Sequence, residues 1–279
     1  MEKRVRGRAI FTSHSKRFLL VQLVCIFNSA DKQLRIQGVS FIIRNLMRYI
    51  LSLFITLAYF RDICAQKISD APEILTTQQS SEIFTAAVCK TLDINFPIIR
   101  VYSYADKAGK YYCVLTENIS DITYKDDTLY RDIKAINFKY DGKSFSKLWE
   151  INDHIIREGN DEHSIWFWTK YIDIRDYDGD GLADPVIVYG ASAYEEFWNS
   201  RVKFIICYKG QKIAIRHQNA DLDFHRATQV DKAFHSLPQP LQEVIIKKME
   251  QMVENGHAIF SPGWQTAMKN GKTWIVQRP

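Results

Sequence analysis

Two hydrophobic periods alternate along this chain. From residue 98 to residue 216, apolar side chains recur at every second position or in short runs, the mark of strands. On either side of that region they recur every three to four residues. The 81–92 segment carries Ile83, Phe84, Ala87, Val88 and Leu92 as a helical stripe, with Ser80 or Ser81 placed to cap its start. Strands are expected at 98–105 and 111–117 around the turn at 106–110, and at 133–140 and 145–153 around Asp141-Gly142. Another pair is expected at 202–208 and 212–216 around Lys209-Gly210-Gln211, and a fourth, aromatic and β-branched, at 166–175 and 185–190. Past Pro240 the period changes again. Leu241, Val244, Ile245, Met249, Met252 and Val253 share one helical face, and Gly256 follows as a natural terminator. A short helical turn at 263–271 and a last strand at 273–276 complete the pattern. The fold class is α+β: one domain at 66–279, a largely antiparallel sheet of about eight strands, an N-terminal helix and a C-terminal amphipathic helix.

The loop between the fourth pair changes the picture most. DYDGDGLAD at 176–184 places Asp176, Asp178, Asp180 and Asp184 at loop positions 1, 3, 5 and 9, with Gly181 at position 6. A hard cation such as Ca²⁺ takes roughly 6–8 oxygens, and a tight loop supplies them from alternate residues. Leu182 at position 7 offers its carbonyl. Glycine at 6 allows a bend that a Cβ would obstruct. The expected ligands are therefore Asp176, Asp178, Asp180, Leu182 and Asp184, and the expected cofactor is structural Ca²⁺. Without a cation the loop would be a hydrated Asp/Gly turn whose acids repel one another. Position 12, which is a bidentate Glu in a helix–loop–helix site, is Ile187 here, and position 10 is Pro185. The loop resembles the DxDGDGxxD loops of FG-GAP and VCBS repeat proteins, where an ion braces a turn between two strands. It occurs once, whereas a propeller needs it at a regular period.

Charge separates the start of the chain from the rest. The formal net charge is +5, but residues 1–46 hold nine Lys/Arg against Glu2 and Asp31, which leaves the remainder at −2. The basic balance is an N-terminal effect and gives no reason to expect nucleic acid on the folded body. From Met47 the chain reads as a secretory signal peptide: Arg48, then a 12-residue apolar run at 49–60, then Ile63-Cys64-Ala65 before Gln66. The run falls short of the about 20 residues of a transmembrane helix, so no stable membrane span is expected in the mature form. Residues 1–46 then read as a non-native N-terminal extension, and 47–65 as the cleaved segment. The expected location is periplasmic, or secreted or at the cell surface, where a weak calcium loop would be filled. Cys89, Cys113 and Cys207 are odd in number and widely spaced, which is no disulfide framework. Cys113 with Cys207 is the pair to test, against the plainer reading of small buried residues on strands.

Other polar groups carry less. Trp166 and Trp168 lie two apart on one strand face, as core anchors or as a sugar-stacking pair. Alternation along a strand would set Asp221, Asp223 and His225 on one side, where acid–base work or a second metal is conceivable. A hydrolase needs two carboxylates at catalytic separation, and Asp153, Glu158, Asp161, Glu162, Glu195 and Glu196 are available. There is no GxSxG elbow, P-loop or GxGxxG.

The order of elements is similar to that of small exported bacterial proteins, common in Bacteroidetes, assigned to surface polysaccharide biosynthesis. The likeness rests on YYCVLTEN at 111–118, FSKLWEIND at 145–153, IDIRDYDGDG at 172–181 with VIVY at 186–189, and KFIICYKGQKIAIR at 203–216. It implies export and an envelope association, and brings no catalytic residues. The leading expectation is a non-enzymatic, calcium-braced β-rich protein whose partner is a glycan or an envelope protein. The alternatives are a hydrolase of envelope polysaccharide and a periplasmic immunity or inhibitor protein.

Overall fold

A computed structural model describes residues 71–119, 128–156, 162–193 and 200–276. The chain divides into two compact units, Met1–Gln66 and Lys67–Pro279, and every described residue lies in the second. The expected signal segment and the extension before it fall outside the described residues.

The described body is β-rich and antiparallel, with few helices. Two sheets replace the one expected. The first has five strands in chain order: β1 (Glu73–Ile74), β2 (Ile98–Asp106), β3 (Gly109–Ile119), β4 (Tyr130–Tyr140) and β5 (Phe145–His154). The second has seven: β6 (Ser164–Phe167), β7 (Asp173–Arg175), β8 (Asp184–Ser192), β9 (Arg201–Tyr208), β10 (Gln211–Gln218), β11 (Ala227–Val230) and β12 (Trp274–Val276). The estimate of about eight strands missed β1 and β11 and fused β6 with β7. These last two lie end to end along β8, because a turn at 169–171 interrupts them.

Turn chemistry sets the register. The Oδ1 of Asp106 accepts from Ala108 N at 2.7 Å and tightens the β2–β3 connection. Asp141 Oδ1 accepts from Lys143 N at 2.8 Å and Ser144 N at 2.7 Å and closes β4–β5. Between β9 and β10 the two turn residues, Lys209 and Gly210, both have positive φ (48° and 78°). That is the two-residue turn whose twist suits a hairpin.

The N-terminal helical segment is broken in two: α1 (Thr77–Ile83) and α2 (Ala86–Thr91). A single helix over 81–92 is thereby corrected. Thr76 and Gln79 cap α1 reciprocally. Thr85 then accepts from Val88 N and starts α2 instead of continuing α1. The break turns Phe84 inward, 5.3 Å from the Phe145 ring and edge-on to Tyr112 at 5.8 Å. Burying such a side chain is worth about 2–3 kcal/mol.

Strand alternation splits the core. Val101, Tyr112, Val114, Ile136 and Phe138 of the first sheet pack with Phe84 and Ile94. The alternate residues Tyr102, Cys113, Leu115, Ile133, Ala135 and Ile151 join the main core with the second sheet. Leu241, Ile245, Met249 and Met252 of α3 (Gln239–Glu254) are completely buried in that main core, as is Met268 of α4 (Trp264–Lys269) to 1 %. The expected stripe at 240–255 is thus buried along most of its length, while Val253 is exposed. Among the described residues no helix is long and apolar enough to cross a membrane. Cys89, Cys113 and Cys207 are free thiols. Burial pushes the Cys113 thiol upward, with a further push from nearby Cys207, whose own value rises to about 12 through burial.

Candidate metal centre

Strands β7 and β8 pair from Asp173↔Val186 to Arg175↔Asp184, which clamps both ends of the 176–184 loop. Within it, Gly179 N and Gly181 N donate to the two oxygens of Asp176 at 2.8 Å each. Asp180 N donates to Asp178 Oδ1 at 3.1 Å, and Tyr177 N to Asp184 Oδ2 at 3.0 Å. Gly179 and Gly181 have φ of 76° and 85°, a region that favours glycine. The chain therefore folds back over its own carboxylates.

Asp176, Asp178 and Asp184 each bring one oxygen into a group within 4.8 Å of one another. These are positions 1, 3 and 9 of the spacing. Position 5 goes elsewhere: Asp180 accepts from Leu182 N at 2.8 Å and pairs with Lys209 at 3.0 Å. For Leu182 the structure gives a backbone N–H turned to Asp180, with no carbonyl contact among the described residues. Tyr208 OH donates to Asp178 Oδ2 at 2.9 Å, so the β9–β10 turn leans on the loop. The first sheet reaches it too. Lys107 N donates to Gly181 O at 2.9 Å, Ala183 N to Asp106 Oδ2 at 3.3 Å, and the Lys107 ammonium contacts Asp180 O.

The electrostatics follow from this crowding. Asp184 is buried, and burial with the charges of Asp178, Asp176 and Asp180 pushes its carboxyl up to about 6. Asp180 is half-buried, and Lys209 and Leu182 N hold it below the usual range. Lys209 rises in turn through its contacts with Tyr208 and Asp180. A group of oxygens this close, with one carboxylate reluctant to ionise, suits a small multivalent cation.

No family model, curated protein or solved structure matches the chain. The likenesses to calcium-loop repeats and to exported polysaccharide proteins therefore rest on this sequence alone.

The remaining candidates separate clearly. Asp153 and Glu162 do come together, but on Arg201. Its Nε donates to Glu162 Oε1 at 2.6 Å and its Nη1 to Asp153 Oδ2 at 2.7 Å, while Nη2 reaches His154 O at 2.6 Å. Lys203 adds 2.6 Å to Asp153 Oδ2. Burial would raise Asp153, yet Arg201 and Lys203 bring it down to about 2. Two carboxylates bound to one guanidinium are structural ion partners, not an acid and a base at work. Glu158, Asp161, Glu195 and Glu196 lie outside the described residues.

The expected alternation of Asp221, Asp223 and His225 is overturned. Asp223–His225 is a short 3₁₀ turn, wound because Arg226 pulls the segment in through Asp223, Asp221 O and, at 2.6 Å, Ala220 O. Trp166 and Trp168 do lie together, their rings 6.1 Å apart and nearly parallel. Trp168 also meets His257 edge-on at 5.1 Å and packs against the main core, so it serves as an anchor.

Proposed function

We propose that this chain is an exported, non-enzymatic envelope or cell-surface protein whose two-sheet body is braced by one Ca²⁺ in the 176–184 loop. The observation that carries the metal half is the convergence of Asp176, Asp178 and Asp184 oxygens to within 4.8 Å. These three would hold the ion directly, and Asp180, by exchanging its present partners, and the Leu182 carbonyl would complete the set. The ion would supply charge neutralisation and no reaction. The export half is supported by the charge and apolar run of residues 47–65. A surface glycan or an envelope protein is the partner class that the exported setting favours. The single domain at 66–279 belongs to this reading as well.

The test combines metal content and thermal melting of the exported form, with its N-terminal sequence determined. One equivalent of calcium, a lower melting temperature in chelator, and an Asp178→Ala variant that no longer responds to calcium are expected. An identical melt with and without chelator would overturn the metal half. An N-terminus at Met1 would overturn the export half.

A further inference from the structure

The inner face of the second sheet turns polar along its own strands. On β9, Ile205 and Cys207 are buried in the core, while Lys203 and Arg201 on the same face are cationic. Trp274, Gln229, Arg216 and Lys203 are paired directly across β12, β11, β10 and β9. Directly opposed residues share a face, so they form one row. Ala227, Gln218 and Arg201 form the next. Both rows line a cavity of about 150 Å³, room for one six-membered ring.

The members of these rows are not equivalent. Arg201 is consumed by Glu162, Asp153 and His154 O, and forms a fixed, charge-compensated wall. Arg216 is different: 43 % of its side chain is exposed, and only Nη1 is engaged, with Asp231 at 2.7 Å. Asp231 is itself pinned by Ala214 N at 2.8 Å. The guanidinium is thus held in place while its remaining N–H groups have no partner among the described residues. Gln229 has no side-chain partner among them either. Gln218 uses its Nε2 on Ser200 O at 3.0 Å and Asn219 O at 3.2 Å, and keeps its oxygen. Trp274, on the edge strand, is 59 % exposed.

We propose that this face binds one acidic sugar residue of a saccharide. Arg216 takes the carboxylate in a charge-assisted pair, Gln229 and Gln218 take ring hydroxyls, and the Trp274 indole stacks on the apolar face of the ring. Strands about 4.8 Å apart put indole and guanidinium two strand spacings from each other, the reach of a pyranose with its exocyclic acid. The proposal deepens the surface-glycan reading and rests on it for the choice of sugar, but not on the metal.

The experiment titrates the full chain with digalacturonate, and with neutral galactobiose and inorganic phosphate as controls. It follows heat and the Trp274 indole N–H signal, assigned with Trp274→Phe. Saturable binding in the millimolar range or tighter is expected for digalacturonate, with galactobiose at least about tenfold weaker. Arg216→Gln and Trp274→Ala should each weaken it about tenfold or more, with unchanged melting temperatures, as both side chains are exposed. No saturable binding, or full affinity in Arg216→Gln, overturns the proposal. Displacement by equimolar phosphate also overturns it, in favour of a general anion site. Failure here with a calcium-dependent melt intact removes this proposal and leaves the metal reading standing.

Discussion

Asp153 and Asp184 are the same side chain in a half-buried and a buried setting, yet one carboxyl is held at about 2 and the other pushed to about 6. Burial acts upward on both. The difference is the company. Asp153 faces Arg201 and Lys203 at 2.7 and 2.6 Å, inside a network whose charges come from the chain itself. Asp184 faces Asp176 and Asp178, with Lys209 at 3.7 Å from Asp178 and closer to Asp180. The chain compensates the first cluster with Arg201 and Lys203, and the second only thinly, through Lys209.

The largest test of that contrast is Arg201→Gln. It strands Glu162, whose side chain is fully buried, together with Asp153. Removing one partner of a buried ion cluster costs about 3–5 kcal/mol, so chemical denaturation should show a loss of that order. A loss below about 1 kcal/mol, the range of a surface pair, would mean that the cluster is not a closed unit. Calcium is the matching test on the other side. At a ligand excess of about 10–100 over Kd, binding adds about 1–3 kcal/mol. The melting temperature should rise with calcium in the native chain and stay flat in Asp178→Asn.

Acid should then read out the compensated cluster. Asp153 has its folded value depressed to about 2 from 3.8. Its stabilisation is present above pH 3.8 and is lost as pH falls through about 2, a change of about 2 kcal/mol. Asp153→Asn should lack this acid-induced loss, and a native-like pH profile in that variant would contradict the assignment. The smallest effect concerns Lys209, which would compete with a cation for Asp178 and Asp180. Replacing it with Met removes a weak surface pair, so calcium affinity should rise by roughly two- to fivefold. A fall in affinity would show Lys209 helping the site instead of occupying it.

Much of the fold was legible wherever alternation and turn chemistry agreed. Asp141-Gly142 marked its connection, and the stripe from Leu241 to Met252 marked a buried helix. What escaped did so for local reasons. A capping threonine looks like any other helix residue until Phe84 is seen to need a way inward. β1 and β11 are two and four residues long, too short for a period to register. The loop was legible in its spacing, but the diversion of Asp180 was not. That depends on Lys209, which enters from another hairpin through a positive-φ turn. Arg201 was hidden because nothing in RVKFIICY says that the charged face points inward.

The docking of the 176–184 loop on the β2–β3 turn has a kinetic consequence. Ala183 and Asp106 are 77 residues apart in sequence, a strongly non-local contact. Such a contact requires both hairpins to exist before it can close, so it belongs late on the folding path. Interactions absent from the transition state slow unfolding and leave the folding rate nearly untouched. A cation seated in this loop would then act as a latch. It would scarcely hasten assembly, but it would lengthen the life of the assembled molecule.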